Sequence, residues 1–429
     1  MSNKSEAYRD ILDYVNSLEI IDTHEHLPGR EEYIDKNTDI LKEYLIHYFS
    51  VDLKSSGLSQ DDFAAVTDAS KPLPERWKLV EKYWEYARNT GYGRAIDHTV
   101  QGLYGIDRLD GDTLEKANEL FLKARGENPY RRVLKEKCKI RTSLVDNGDL
   151  ESDRTYFTPV YQISSLIVIH SIRQVQELSR QSGIAITCFD DWLDMAEALV
   201  MKAIGKGVTV FKIGLAYERP IKFNKVDYAQ AEAAFNKIFN HFHQPEWVVE
   251  ELTVSRLFQD YMLHYLLRII DKHGLTVQFH TGILEGNGNV LENSNPTLLN
   301  NLFLTYSKMK FDLFHISYPY QREAIALCKM FPNVYLDMCW AHIISPNSSM
   351  EFLREYLDAA AVNKLSAFGG DYCMVDTVYG HQLMARQNVS RVLAEKVEDN
   401  IFSVDRACEI AKRIFYDNPV EIFSLNSSI

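Results

Sequence analysis

The chain has 429 residues, 46% of them hydrophobic and 25% charged, with a formal net charge of -13. That length and balance describe a globular protein with room for a large core. The negative charge disfavours nucleic acid and anionic membrane as partners, and no run approaches the roughly 20 apolar residues of a membrane helix. Charges are spread through "MSNKSEAYRDILDYVNSLEI", so no secretory leader is expected and the expected location is the cytoplasm. The six cysteines, Cys138, Cys188, Cys328, Cys339, Cys373 and Cys408, lack CxxC spacing and are expected to stay reduced.

Along the chain, short runs rich in Val, Ile and Phe alternate with longer stretches of helical periodicity, the pattern of βα units. The predicted strands are "LEIIDTH" (18–24), "CKIRTSLV" (138–145), "SSLIVI" (164–169), "GVTVFKIGLA" (207–216), "LTVQFH" (275–280), "FDLFHI" (311–316), "NVYLDM" (333–338) and "LSAFGGD" (365–371). Eight in succession predict an α/β fold, a (β/α)8 TIM barrel forming one domain over 1–429. Two connections exceed ordinary βα loops. Residues 27–137 carry "TDILKEYLIHYF", "LPERWKLVEKYWEYARNTGYGRAIDHTVQGLYG" and "DTLEKANELFLKARG", read as a helical insertion after the first strand. Residues 218–262 carry "YAQAEAAFNKIFNHF" and the start of "SRLFQDYMLHYLLRIIDKHG", read as a second helical insertion after the fourth strand. Both leave the C-terminal rim, where barrel enzymes build their sites.

The first predicted strand runs into "IIDTHEHL". Residues two apart on a strand share a face, so His24 and His26 point into the barrel mouth together. An HxH pair alone is weak evidence for metal, but the other strand ends add to it. The fifth ends in His280, the sixth in His315 and the eighth in Asp371. Imidazoles and a carboxylate at one rim make zinc the leading divalent ion, with manganese, iron and nickel as alternatives. At the fourth strand end, Lys212 shares a face with Gly214 and Ala216; Tyr217 and Arg219 follow as candidates for binding a substrate carboxylate, which suits the planar guanidinium fork.

The order His24-x-His26, His280, His315, Asp371 resembles the metal-dependent amidohydrolase superfamily. "FKIGLAYERP", "VQFHTGILEGNGN", "HISYPY", "NVYLDM" and "FYDNPVEIFSL" resemble its amidohydrolase 2 branch, including the domain that some proteins fuse to glutamine synthetase. The early DxHxHL followed by a long helical insertion with "LYGIDRL" is similar to uronate isomerases of the same superfamily. The resemblance implies one metal ion on His24, His26, His280 and Asp371, with Asp371 also passing protons and His315 free to polarise a carbonyl or shuttle a proton. A second ion is implied if Lys212 is carboxylated; a salt bridge or substrate contact is the alternative role for that lysine. The implied reaction is hydrolysis of an amide, ester or lactone in a small carboxylated substrate by metal-activated water. The alternative is a non-hydrolytic decarboxylase or a uronate-type sugar-acid isomerase. Against the isomerase, Asp371-Tyr372-Cys373 lacks the arginine two residues after the aspartate that is associated with uronate isomerases. The oligomeric state stays open, a homo-oligomer included.

Overall fold

The computed structural model describes residues 5–126, 128–241 and 252–425. Among them lie nine short strands: β1 (Ile20–Glu25), β2 (Ile140–Val145), β3 (Phe157–Pro159), β4 (Tyr161–Gln162), β5 (Val210–Ile213), β6 (Thr276–Phe279), β7 (Lys310–Leu313), β8 (Val334–Asp337) and β9 (Leu365–Ser366). Every pairing is parallel, in the orders β1-β2-β3 and β4-β5-β6-β7-β8-β9. β3 and β4 flank the single residue Val160 and form one stave of the wall. At the other seam the Thr23 N–H donates to the Phe368 carbonyl (3.0 Å) and the Asp371 N–H to the His24 carbonyl (2.8 Å), which brings the eighth stave against the first. The architecture is an α/β TIM barrel. Its strands are buried along nearly their whole length because helices cover the outside and side chains fill the inside.

The third stave corrects the sequence reading. "SSLIVI" (164–169) is not a strand: Ser164–Leu166 is a 3-10 turn. The stave is built instead from Phe157–Pro159 and Tyr161–Gln162. Proline donates no ladder hydrogen bond and so reads as a strand breaker. Here Pro159 sits at the end of the β2–β3 register, opposite Val145, and the next residue, Val160, supplies the N–H to the Val145 carbonyl at 2.9 Å. Ile163, Leu166 and Ile167 are apolar because they are fully buried, which an unbroken apolar run signals without specifying extended backbone.

Between β1 and β2 the described residues form six α-helices, Ile40–Leu45, Tyr48–Ser55, Gln60–Thr67, Leu73–Ala87, Gly91–Tyr104 and Leu114–Arg125. Asp39, Ser59 and Thr90 accept backbone N–H bonds at three of their N-termini. Trp77 and Trp84 are buried among these helices, and Tyr48 stacks on Trp340 from the barrel at 4.2 Å between ring centroids. Helix Gly91–Tyr104 lies close against Val375–Glu398: a Cβ added to Gly380 would stand 2.0 Å from the Ala95 carbonyl oxygen. After β5 come helices Tyr228–His241 and Leu252–Lys272, held to Phe189–Gly205 through Phe189, Phe235 and Phe258. Residues 242–251 of the second expected insertion lie outside the described residues.

Candidate metal centre and active site

His24 lies near the end of β1 and His26 one residue past it, His280 directly follows β6, His315 opens a turn after β7, and Asp371 lies at the seam beyond β9. Asp371 has φ +60°, a left-handed conformation that L-residues rarely adopt without support. Three contacts supply it. The Gly370 N–H donates to Asp22 Oδ1 (3.0 Å), the Tyr372 N–H donates to Glu25 Oε2 (2.7 Å), and the Tyr48 hydroxyl donates to the Asp371 carbonyl (2.6 Å). Gly370 is required at this turn because a Cβ there would fall 1.8 Å from Glu25 Oε1. Thus the acids of "DTHEH" brace the turn that presents Asp371. Burial pushes the Asp22 carboxyl up to about 6, and burial together with the neighbouring Asp22 raises Glu25 well above the usual carboxylate range.

The ligand-type atoms converge. His24 Nε2 and His26 Nε2 are 3.3 Å apart, and Asp371 Oδ1 is 3.6 and 3.2 Å from them. On the other side, His280 Nδ1 lies 3.4 Å from His315 Nε2, which is 3.7 Å from Asp371 Oδ2. Backbone carbonyls assign the tautomers. His26 Nδ1 faces Asp146 O (2.6 Å), His280 Nε2 faces Ile283 O (2.9 Å) and His315 Nδ1 faces Cys339 O (3.0 Å). Each of those nitrogens donates; His280 and His315 then keep a lone pair on the other nitrogen, toward the centre, while His26 Nε2 donates to Asp371 Oδ1. Metal bonds of about 2.0–2.2 Å in a tetrahedron separate ligand atoms by roughly 3.4 Å, so the spacing of His24, His26 and Asp371 fits a divalent ion, with His280 and His315 standing on the other side of Asp371. Asp146 with His24 and His26, and Cys339 with His315 and Asp371, make two further ligand-type groupings.

Charges follow the same logic. Burial alone would raise the Asp371 carboxyl, but the hydrogen bond from His26 and the neighbouring imidazoles hold it well below the carboxylate range. Burial would lower His26, yet the Asp371 bond and charge raise it to about 9. Burial takes His315 down to about 4, and burial with the Lys212 charge pushes His24 well below the usual imidazole range. Burial with the His315 charge does the same to His280. The centre therefore keeps most of its imidazoles neutral, the form that binds metal.

Around these residues lies a cavity of about 270 Å³ lined also by His47, Tyr48, Asp146, Gln162, Lys212, Gly214, Tyr217 and Glu285. Lys212 is 3% exposed; its Nζ has no hydrogen-bond partner among the described residues and sits over the Phe314 ring at 3.2 Å. Burial lowers its pKa, opposed by the Asp371 charge. Tyr217 packs on the His280 ring at 4.9 Å, and its hydroxyl oxygen accepts the Glu285 N–H at 3.1 Å. Arg219 is not brought to this cavity. Its guanidinium donates to Gln259 (2.8 Å), Asp260 Oδ1 (2.7 Å) and the Lys222 carbonyl (2.8 Å), tying its loop to helix Leu252–Lys272.

Sequence reasoning did not single out His47, Tyr48 or Glu285. His47 stands before helix Tyr48–Ser55 with φ 58° and ψ -132°, a strained pair for an L-residue, and its Nδ1 is buried without a hydrogen-bond partner among the described residues. "IHYF" and "LEGN" sit in loops or at a helix start, where no periodicity marks a side chain's direction.

Residues 234–425 match the family model described as amidohydrolase. Protein fluG of Emericella nidulans is 26% identical over 236 residues, 53% of this chain and 27% of that protein. A uronate isomerase of Cutibacterium acnes is 27% identical over 106 residues, 25% of this chain and 23% of that protein. The chain's matches thus span about a quarter of the length of these curated relatives. Among solved structures, a uronate isomerase of Thermotoga maritima superposes with a TM-score of 0.79 at 17% identity, covering 98% of both chains. The amidohydrolase likeness read from the strand-end residues is borne out, and the fold is that of these barrels.

Proposed function

We propose that the chain is a metal-dependent isomerase that interconverts aldose and ketose forms of a sugar acid at the centre formed by His24, His26, His280 and Asp371. The observation that carries this reading is the composition of the cavity wall. The first insertion supplies His47 and Tyr48 beside the ligand-type residues, and Lys212 supplies a buried amino group with no hydrogen-bond partner among the described residues to meet a substrate carboxylate. The sequence likeness to a uronate isomerase supports it.

A divalent ion, zinc by the imidazole-rich donor set, would polarise a hydroxy-carbonyl group when bound. Asp371, held ionised, takes a proton from the substrate and returns it to the neighbouring carbon. His315, neutral and with Nδ1 fixed on the Cys339 carbonyl, offers Nε2 to a developing alkoxide or its proton. Tyr217 and the His280 ring beside it close one wall. Lys212 binds the carboxylate as an unmodified amine in this reading.

One observation favours hydrolysis as a second reading. Cys373 stands where uronate isomerases are expected to carry arginine, and no guanidinium lines the cavity among the described residues. Metal-activated water would then attack an ester, lactone or amide, with Asp371 moving the proton. Incubation of zinc-loaded protein with D-glucuronate and D-galacturonate in D2O, followed by proton NMR, separates the two. Ketose signals growing without ester or lactone cleavage are expected, and Asp371→Asn should slow them by about 100-fold or more. Inert hexuronates beside hydrolysis of an ester, lactone or amide panel would replace the isomerase by the hydrolase.

A further inference from the structure

We infer that Glu285 decides which sugar acids the cavity admits, by accepting hydrogen bonds from the hydroxylated distal end of the substrate and repelling a second carboxylate there; this rests on the sugar-acid reading above. Glu285 stands on the loop after β6, five positions beyond His280, and its side chain lines the cavity. The loop is fixed from several directions. The Ile283 N–H donates to the Tyr318 carbonyl (2.6 Å) and the Glu285 N–H to the Tyr217 hydroxyl oxygen (3.1 Å). Asn289 Nδ2 donates to the Glu285 carbonyl (2.7 Å), and Asn287 Nδ2 to the Val51 carbonyl of the first insertion (3.2 Å). Gly286 and Gly288, at φ 89° and 85°, give the chain the left-handed turns this path needs.

With its backbone so held, Glu285 still has a carboxylate without a hydrogen bond or ion pair among the described residues, although the charges of Lys54, Asp371 and His26 reach it. Two other carboxylates of the wall have nearer engagements. Asp371 faces His26 at 3.2 Å, and Asp146 Oδ2 accepts from Gln162 at 3.4 Å. Lys212 belongs to β5 itself, inside the barrel, whereas Glu285 lies past the end of its strand. Lys212 and Glu285 thus stand on different parts of the cavity wall, the lysine on a strand and the carboxylate on the loop beyond the neighbouring strand. In the sugar-acid reading, a substrate that places its one carboxylate at Lys212 turns hydroxyls toward Glu285. An aldaric acid of the same length brings a second carboxylate against it, and like charges brought together cost several-fold in affinity at least.

The test is calorimetric titration of the zinc-loaded full chain with D-gluconate and D-glucarate, which share a carbon chain and differ in the second carboxylate. Gluconate should bind at least about tenfold more tightly, roughly the effect of one unfavourable charge contact. Glu285→Gln should shrink that preference below about threefold by tightening glucarate, with zinc content unchanged, and Glu285→Ser should do the same if the glutamine variant folds poorly. Equal wild-type affinities, or a preference that survives both substitutions, would overturn the inference while leaving the sugar-acid reading standing. Binding of neither acid would overturn both.

Discussion

His342 illustrates how little a residue type decides without its surroundings. It follows β8 in sequence, near the candidate ligands, yet it is fully buried away from the cavity, with Nε2 donating to the Ala367 carbonyl at 2.9 Å. Burial takes it from an ordinary value of 6.5 to about 4. The folded form thus resists a proton that the unfolded chain accepts, so its stability contribution is complete above 6.5 and is lost as pH falls toward 4. Across that window wild type should lose up to about 1.4 kcal/mol per pH unit more than His342→Gln, read as urea midpoints converging on acidification. Parallel midpoints would show that His342 titrates normally. The histidines of the candidate centre were legible because period two and a strand end predict where a side chain points. Arg219 was not placed by that logic, since Asp260 and Gln259, which claim its guanidinium, come from a helix about forty positions later.

Elements were legible wherever propensity and burial agreed. Seven predicted strands overlap observed ones, and the miss at 164–169 came from a buried turn that is as apolar as a strand beside a true stave that contains Pro159 and breaks at Val160. Helices of the first insertion announced themselves by periodicity, but periodicity does not say where a helix docks. That is set by close approach: Gly380 admits the Ala95 carbonyl, and Tyr44 and Arg132 both bond Asp376 on the same barrel helix, the latter at 3.1 Å. Gly380→Ala forces backbone apart and should cost about 1–3 kcal/mol in urea unfolding of the whole chain. An unchanged midpoint would mean that the two helices do not meet as described. The same docking delivers Tyr48 to Asp371, so an element far from the centre in sequence sets its geometry.

At the scale of the molecule, the centre joins staves from both ends of the chain, since His24 and Asp371 are 3.6 Å apart across the barrel seam. An ion bound there holds the seam and stabilises only the folded state. At 1,000 times its dissociation constant it contributes about 4 kcal/mol, so chelation should lower the thermal midpoint by several degrees and zinc should restore it. A midpoint indifferent to chelator and zinc would remove the metal centre. No helix among the described residues is long and apolar enough to cross a membrane, as the hydropathy of the sequence implied.

The barrel class and the histidine and aspartate positions at strand ends were written in local period and chain order. Long-range packing, by contrast, makes Asp22 and Glu25 brace the Asp371 turn, spends Arg219 on a helix, and brings His47, Tyr48 and Glu285 into the cavity wall. These are contacts between segments remote in sequence, made by loop and cap residues whose direction comes from what they pack against, and no local pattern encodes that.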